Sequence, residues 1–266
     1  MPIALQAALL GVVQGLTEFL PVSSSAHLIL ARAFFGWNGD QFGLAFDVAC
    51  HVGTVAAVMI YFRREVAGMV GAVPRLLDPA DADARLVWLL VVGTVPAVIV
   101  GLTLSDAIEA HLRTPLVAAG TLALGGAGLM AGERWGAQAR GDGTLTLAEA
   151  WWIGCAQAVA LVPGVSRSGA TLTLALFLGL RRADAARFIF LLSIPAILGA
   201  AVKEAPALVG VGAGSGMVVA IGVATSLVVS YAAVRWFIRF LGNHSLNVFA
   251  WYRFALAATV VLWVLR

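Results

Sequence analysis

Six apolar runs, Phe46 to Phe62, Leu86 to Leu104, Pro115 to Ala131, Phe188 to Val202, Leu208 to Tyr231 and Val248 to Leu265, take up much of this chain. Most are long enough to cover about 30 Å of hydrocarbon as a helix. A bilayer offers no water to backbone N–H and C=O groups, so runs of this kind fold as helices that satisfy themselves internally. With 61% hydrophobic and only 12% charged residues, the composition lies outside that of ordinary soluble domains. The expected fold is an all-α polytopic membrane protein, a single integral membrane domain over residues 1–266. The first apolar segment, from Met1 into the serines at Ser23, has no small-residue cleavage site and carries Glu18, so it reads as part of the mature chain. Cys50 and Cys155 each sit in an apolar stretch and read as small buried residues.

The formal net charge of +3 does not point to nucleic acid, because the basic residues are nearly all single or paired arginines at the ends of the runs. They report topology instead. If residues 1 to 35 dip into the membrane and return, and Phe46 to Phe62 then leaves the outer face, eleven arginines fall on the inner side: Arg63, Arg64, Arg75, Arg85, Arg134, Arg140, Arg181, Arg182, Arg187, Arg235 and Arg239. Four cationic residues, Arg32, Arg113, Lys203 and Arg266, fall outside, with Arg167 and Arg253 set aside as lying within membrane segments. The positive-inside rule favours this orientation, with both termini outside.

Two polar interruptions break the apolar pattern, GLTEFLPVSSSAHL from Gly15 to Leu28 and PGVSRSGAT from Pro163 to Thr171. A charge near the bilayer centre costs about 2.5 to 3.5 kcal/mol on insertion scales, so such residues usually line a site or a wet cavity. The interruptions also correspond to each other. Gly11, Gln14, Pro21 and Ser23 to Ser25 recur as Gly154, Gln157, Pro163 and Ser166 to Ser168, with a one-residue slip on each side of the proline. Three runs follow each interruption, so the second copy is inserted upside down: an inverted-topology repeat, about 1–140 and 147–266, with six transmembrane helices and two re-entrant helix pairs that meet near the midplane.

The chemistry of that meeting point can be read from residue types. Gln14 and Glu18, spaced i, i+4, share a helix face and offer oxygen ligands suited to a hard cation such as Mg2+ or Ca2+. Beyond Pro21, the hydroxyls of Ser23, Ser24 and Ser25 supply donors and a nucleophile, with His27 within reach. From the second half, Arg167 between Ser166 and Ser168, followed by Gly169 and Thr171, offers a planar donor fork at a helix N-terminus, which suits an oxyanion. Together these make a phosphate site. Plainer readings stand beside each: Glu18 and Arg167 as a structural ion pair, His27 as a cap of a short helix from Ala26 to Phe35, and the serines as turn or capping residues. Asp47 and His51 repeat the i, i+4 spacing, but near an interface they read as a helix cap and a solvated imidazole and are not placed in the site. Trp88, Trp151, Trp152, Trp251 and Trp263 read as an interfacial belt, and the glycines from Gly120 to Gly132 as helix packing that permits a homodimer.

The motif GxxQGLTEFLPVSSSAH, followed much later by PGVSRSGAT, resembles the undecaprenyl-diphosphatases, also called bacitracin resistance proteins, and the resemblance runs the length of the chain. It implies an integral enzyme of the bacterial cytoplasmic membrane that removes the terminal phosphate of undecaprenyl diphosphate, regenerating the lipid carrier of peptidoglycan synthesis. The site is then expected to open to the periplasmic side and to need a divalent cation. The family's acidic motif falls on Gln14 and Glu18, its serine and histidine on Ser24 and His27, and its arginine on Arg167, with Ser25, Ser166, Ser168 and Thr171 at phosphate-contacting positions. Many members carry a glutamate where this chain has Gln14, which predicts weaker metal binding here. In the expected mechanism Ser24 attacks and His27 accepts its proton, with His27 as nucleophile the runner-up. A lipid flippase or secondary transporter is the alternative from another class. A phosphatase of the phosphatidic acid phosphatase type 2 superfamily is disfavoured, because no histidine occurs between Arg167 and His244 and no aspartate follows the latter.

Overall fold

A computed structural model describes residues 1–37, 42–209 and 213–266. Its helices, in chain order, are α1 (Ile3–Thr17), α2 (Ser24–Phe35), α3 (Leu44–Tyr61), α4 (Arg63–Gly71), α5 (Ala82–Thr103), α6 (Ser105–Leu112), α7 (Pro115–Trp135), α8 (Leu147–Val159), α9 (Arg167–Phe177), α10 (Arg182–Val209), α11 (Ala213–Leu241) and α12 (Asn247–Val264). No strand forms among the described residues, where the nearest approach to one is a lone bridge between Arg140 and Leu180. Five helices, α5, α7, α10, α11 and α12, are long and apolar enough to cross a membrane, and α3 with α4 makes a sixth if the bent pair counts as one. The bend between them is 83°, so the run read as Phe46 to Phe62 turns aside at Phe62 rather than continuing.

Helix starts follow local chemistry. Asp81 caps α5 by accepting from the amides of Asp83 and Ala84, at 2.9 and 3.0 Å. Thr114 caps α7, with Pro115 in the first helical position where no donor is needed. At α8, Thr146 and Glu149 form a capping box. One boundary differs from expectation. The run read as starting at Leu208 begins within α10, which extends to Val209, and takes in the start of α11 at Ala213, with residues 210–212 outside the described residues.

The two interruptions fold alike. Each puts a serine at positive φ just before a helix, Ser23 at 73° and Ser166 at 72°. In each the serine side chain accepts from an amide three residues on, Ala26 or Gly169, and sits 3.2 Å from the hydroxyl two residues on, Ser25 or Ser168. Positive φ in a residue other than glycine stores strain of about 1 to 3 kcal/mol and clusters at functional sites. The helices leading into them also pack alike. α1 lies on α11 and α8 on α5, and a Cβ on Gly11 would fall 2.0 Å from Thr225 Oγ1 while one on Gly154 would fall 2.3 Å from the carbonyl of Gly93. Only glycine allows those approaches. α3 packs on α10 and α11, and α7 on α12. Between them the buried core holds Phe19 from the first interruption against Phe190 of α10, ring centroids 5.1 Å apart.

Charges sort to the two ends. At one end Arg140 pairs with Glu149 at 2.7 Å, Arg182 with Glu133 at 2.6 Å, and Arg187 with both Asp142 and Glu65, tying the α7–α8 link to the starts of α8 and α10 and to α4. At the other, Asp47 at the head of α3 takes Arg32 from α2 and Arg113 before α7. Lys203 of α10 contacts Asp106 of α6 there, at 3.3 Å.

Candidate active site

Pro21 and Pro163 cannot continue a helix, and the chain at each turns back towards the other. The result joins the two halves: Arg167 Nη2 reaches Glu18 Oε1 at 2.5 Å. The second carboxylate oxygen accepts from Ser24 Oγ at 2.7 Å and from Gln14 Nε2 at 2.8 Å, and His51 Nε2 lies 3.3 Å away. The Glu18 side chain is 2% exposed, while Arg167 keeps 24%, so the carboxylate forms the floor and the guanidinium faces the opening. A carboxylate buried this deeply is tolerable because each oxygen meets charged or polar donors.

Above the floor opens a cavity of about 360 Å³. Glu18, Ser23, Ser24, Ser25, Ser166 and Arg167 line its polar end, together with His51 and Gln157. Val98 and Leu102 of α5, Leu161 and Ile197 make its apolar wall, and Asp47, Arg113 and Lys203 lie at its charged rim. The rim belongs to the end with fewer arginines.

Other expected site residues sit elsewhere. His27, taken as the base for Ser24, is turned away: its Nδ1 meets the carbonyl of Ser23 and its Nε2 the hydroxyl of Tyr252, both at 2.7 Å. The physical cause is the helix itself, since the ring reaches back to the carbonyl four residues earlier. Ser168, Gly169 and Thr171, expected on the phosphate, are spent on holding the turns. Ser168 Oγ donates to the carbonyl of Leu20 at 2.9 Å, the Gly169 amide donates to Ser166 Oγ at 3.1 Å, and Thr171 Oγ1 donates to the carbonyl of Arg167 at 2.7 Å. Conversely, His51, which reads from sequence as a solvated interfacial imidazole, stands beside Glu18. Its i, i+4 spacing from Asp47 was the available signal, and what hid it was that its partner lies 33 positions earlier in the chain.

Arg253 was also set aside. It is fully buried and has no carboxylate partner among the described residues. Its guanidinium donates to five backbone carbonyls, those of Pro21, Thr121, Leu122, Gly164 and Val165, at 3.0 to 3.2 Å. It thereby staples both interruption turns to α7.

Among the described residues no three His, Cys, Asp or Glu side chains converge as a metal cage. Gln14 Oε1, however, is buried without a hydrogen-bond partner, next to the Glu18 carboxylate. An orphaned carbonyl oxygen beside a carboxylate fits a hard cation whose remaining ligands come from substrate phosphates and water.

Fold and site define a class: a polytopic membrane protein that buries a carboxylate, a serine hydroxyl and an arginine fork at the bottom of a half-apolar cavity. The model of the bacitracin resistance protein BacA family matches residues 7–259. An undecaprenyl-diphosphatase of Rubrobacter xylanophilus is 50% identical over 262 residues, covering 96% of each chain. Proteins of the same name from Trichlorobacter lovleyi and Alcanivorax borkumensis are 45% and 46% identical, covering 94% and 97% of this chain and 93% and 98% of their own. The chain belongs to the bacitracin resistance protein BacA family.

Proposed function

We infer that this protein is an integral membrane phosphatase that hydrolyses undecaprenyl diphosphate to undecaprenyl phosphate and inorganic phosphate, recycling the lipid carrier used in cell-wall synthesis. One observation carries the reading. A hydroxyl, a carboxylate able to take its proton and a guanidinium able to hold a phosphoryl group meet at Glu18, from opposite halves of the chain. The family and the names of the relatives agree with it. No observation favours the flippase or transporter alternative.

In this mechanism the terminal phosphate enters the polar end and Arg167 turns from Glu18 to its oxygens, where charge spreads in the transition state. Ser24 Oγ then attacks phosphorus in line. The bond to the bridging oxygen breaks, undecaprenyl phosphate leaves with the electron pair, and the Ser24 proton passes to Glu18. Glu18 releases that proton to solvent; water then attacks the phosphoserine and gives a proton to Glu18, which passes it to the departing Ser24 oxygen as inorganic phosphate is released. His51 holds the carboxylate in place and shares its proton. The 2.7 Å bond between Ser24 and Glu18 supports Glu18, in place of His27, as the base. Gln14 and Glu18 would hold a divalent cation, Mg2+ or Ca2+, which supplies counter-charge for the diphosphate when bound. The apolar wall suits the first prenyl units.

The same reading takes the chain as an inverted repeat in the bacterial cytoplasmic membrane, with α1–α2 and α8–α9 as re-entrant pairs. Support comes from the matched serines at positive φ and from the corresponding packing of α1 on α11 and α8 on α5. The site then faces the periplasm, because its rim lies opposite the arginine-rich end. The test is phosphate release from undecaprenyl diphosphate in detergent by the intact protein, Glu18→Ala and Arg167→Ala, each with and without a divalent cation. Release by the intact protein, lost in both variants, is expected; no release by well-folded intact protein would sink the reading.

A further inference from the structure

Gln14 and Gln157 hold corresponding places in the two halves, but their side chains meet different fates. Four residues after Gln14 stands Glu18, and the Gln14 amide donates to it at 2.8 Å. Four residues after Gln157 stands Leu161, which has nothing to accept a hydrogen bond. Gln157 is 3% exposed, its Nε2 has no hydrogen-bond partner, and the residue lines the cavity together with Leu161 and Arg167. A buried amide without a partner is destabilising, and a methionine or leucine would fill the same space at no such cost. The same polar end carries the hydroxyls of Ser24, Ser25 and Ser166, the Arg167 guanidinium and the Glu18 carboxylate. That carboxylate is taken up by other donors, and a bound phosphate supplies further acceptor oxygens.

We propose that Gln157 is a substrate-binding residue whose side-chain amide donates a hydrogen bond to a phosphate oxygen of the bound diphosphate. The inference rests on the phosphatase reading above and adds to it a residue from α8. It assigns the two glutamines divided labour. Gln14 steadies the carboxylate, whereas Gln157 contacts the anion directly. A hydrogen bond to a charged oxygen sets the size of the effect.

The test compares the intact protein with Gln157→Met, which keeps the length and removes the donor, and Gln157→Glu, which keeps an oxygen and adds a negative charge. For Gln157→Met, kcat/KM for undecaprenyl diphosphate is expected to fall about ten- to hundredfold, and inhibition by inorganic phosphate to weaken, while Tm stays level or rises. That split is one a packing role would not produce. Gln157→Glu is expected to lose more, through repulsion of the substrate. Gln157→Met within about twofold of intact kcat/KM overturns the proposal, as does Gln157→Glu that keeps activity. A loss of activity matched by a loss of folded protein at the assay temperature, with normal phosphate inhibition of the remainder, overturns it in favour of a packing role. If the intact protein releases no phosphate, the phosphatase reading and this proposal fall together; release by intact protein with undiminished Gln157→Met sinks this proposal alone.

Discussion

Ser24 Oγ donates to Glu18 Oε2 at 2.7 Å while Arg167 holds the other oxygen at 2.5 Å, so one carboxylate joins the two groups to which the proposed mechanism gives attack and phosphate binding. Replacing it by an amide of the same shape keeps the packing and removes the base. Glu18→Gln is therefore expected to lower kcat by about 10² to 10⁴, the usual worth of a positioned general base, with little change in KM; steady-state phosphate release checks this. The covalent step has its own signature. Rapid acid quench after mixing with substrate labelled at the terminal phosphate is expected to trap label on the peptide carrying Ser24, and none in Ser24→Ala. Label on His27 would reverse the assignment. At this scale the sequence showed which residue types gather, because charged and hydroxyl groups stand out against apolar runs. It did not show aim. His27 lies close to Ser24 in sequence, but its ring is held by the carbonyl of Ser23, four residues back, and by the hydroxyl of Tyr252, 225 residues on. His51 was missed because its contact to Glu18 joins two helices.

Between the elements, the interruption turns are held less by their own residues than by Arg253, whose five carbonyl acceptors come from both turns and from α7. Arg253→Met takes this donor from the turn carbonyls of Pro21, Gly164 and Val165, at about 1 to 3 kcal/mol for each one not rescued by rearrangement, whereas Thr121 and Leu122 keep their helical amide donors. A clear drop in Tm in detergent is expected, with Arg253→Lys recovering only part, since an ammonium has three donors where the guanidinium has five. Nothing local announced this residue, which from sequence is a lone arginine in an apolar helix. Caps, by contrast, are local, and Thr-x-x-Glu at Thr146 to Glu149 is one. The Arg140 guanidinium, hydrogen-bonded to Glu149 at the arginine-rich end and outside the crossing helices, holds that carboxyl down from 4.5 to about 2. A depressed carboxyl contributes stability that is complete above its unfolded value and lost as pH falls through the folded one. Tm should therefore decline between about pH 4.5 and 2, and the part of that decline owed to this group should be absent in Glu149→Gln, as a pH series of melting curves would show.

At the scale of the whole molecule, charge and hydropathy made the number and order of the long helices legible, because both are summed over many residues and survive local error. What they could not reach was how α1 meets α11 or α8 meets α5, since those contacts depend on single glycines such as Gly11 and Gly154 fitting a particular neighbour. Orientation in the membrane decides which pool of substrate the proposed site can draw on. The cavity rim carries Arg113 and Lys203, and the opposite end carries Arg85, Arg140, Arg182 and Arg187 in ion pairs or hydrogen bonds to carbonyls. Arginine-rich ends face the cytoplasm. Two exposed positions report the two faces: Asp106 on α6, with its side chain 97% exposed, and Leu77 between α4 and α5, 92% exposed. In a background with Cys50 and Cys155 replaced, Asp106→Cys should react with a membrane-impermeant maleimide on intact cells from which any outer membrane has been removed. Leu77→Cys should react only after the cytoplasmic membrane is permeabilised. The opposite pattern would put the cavity mouth in the cytoplasm, and a periplasmic pool of undecaprenyl diphosphate could then be used only after crossing the bilayer.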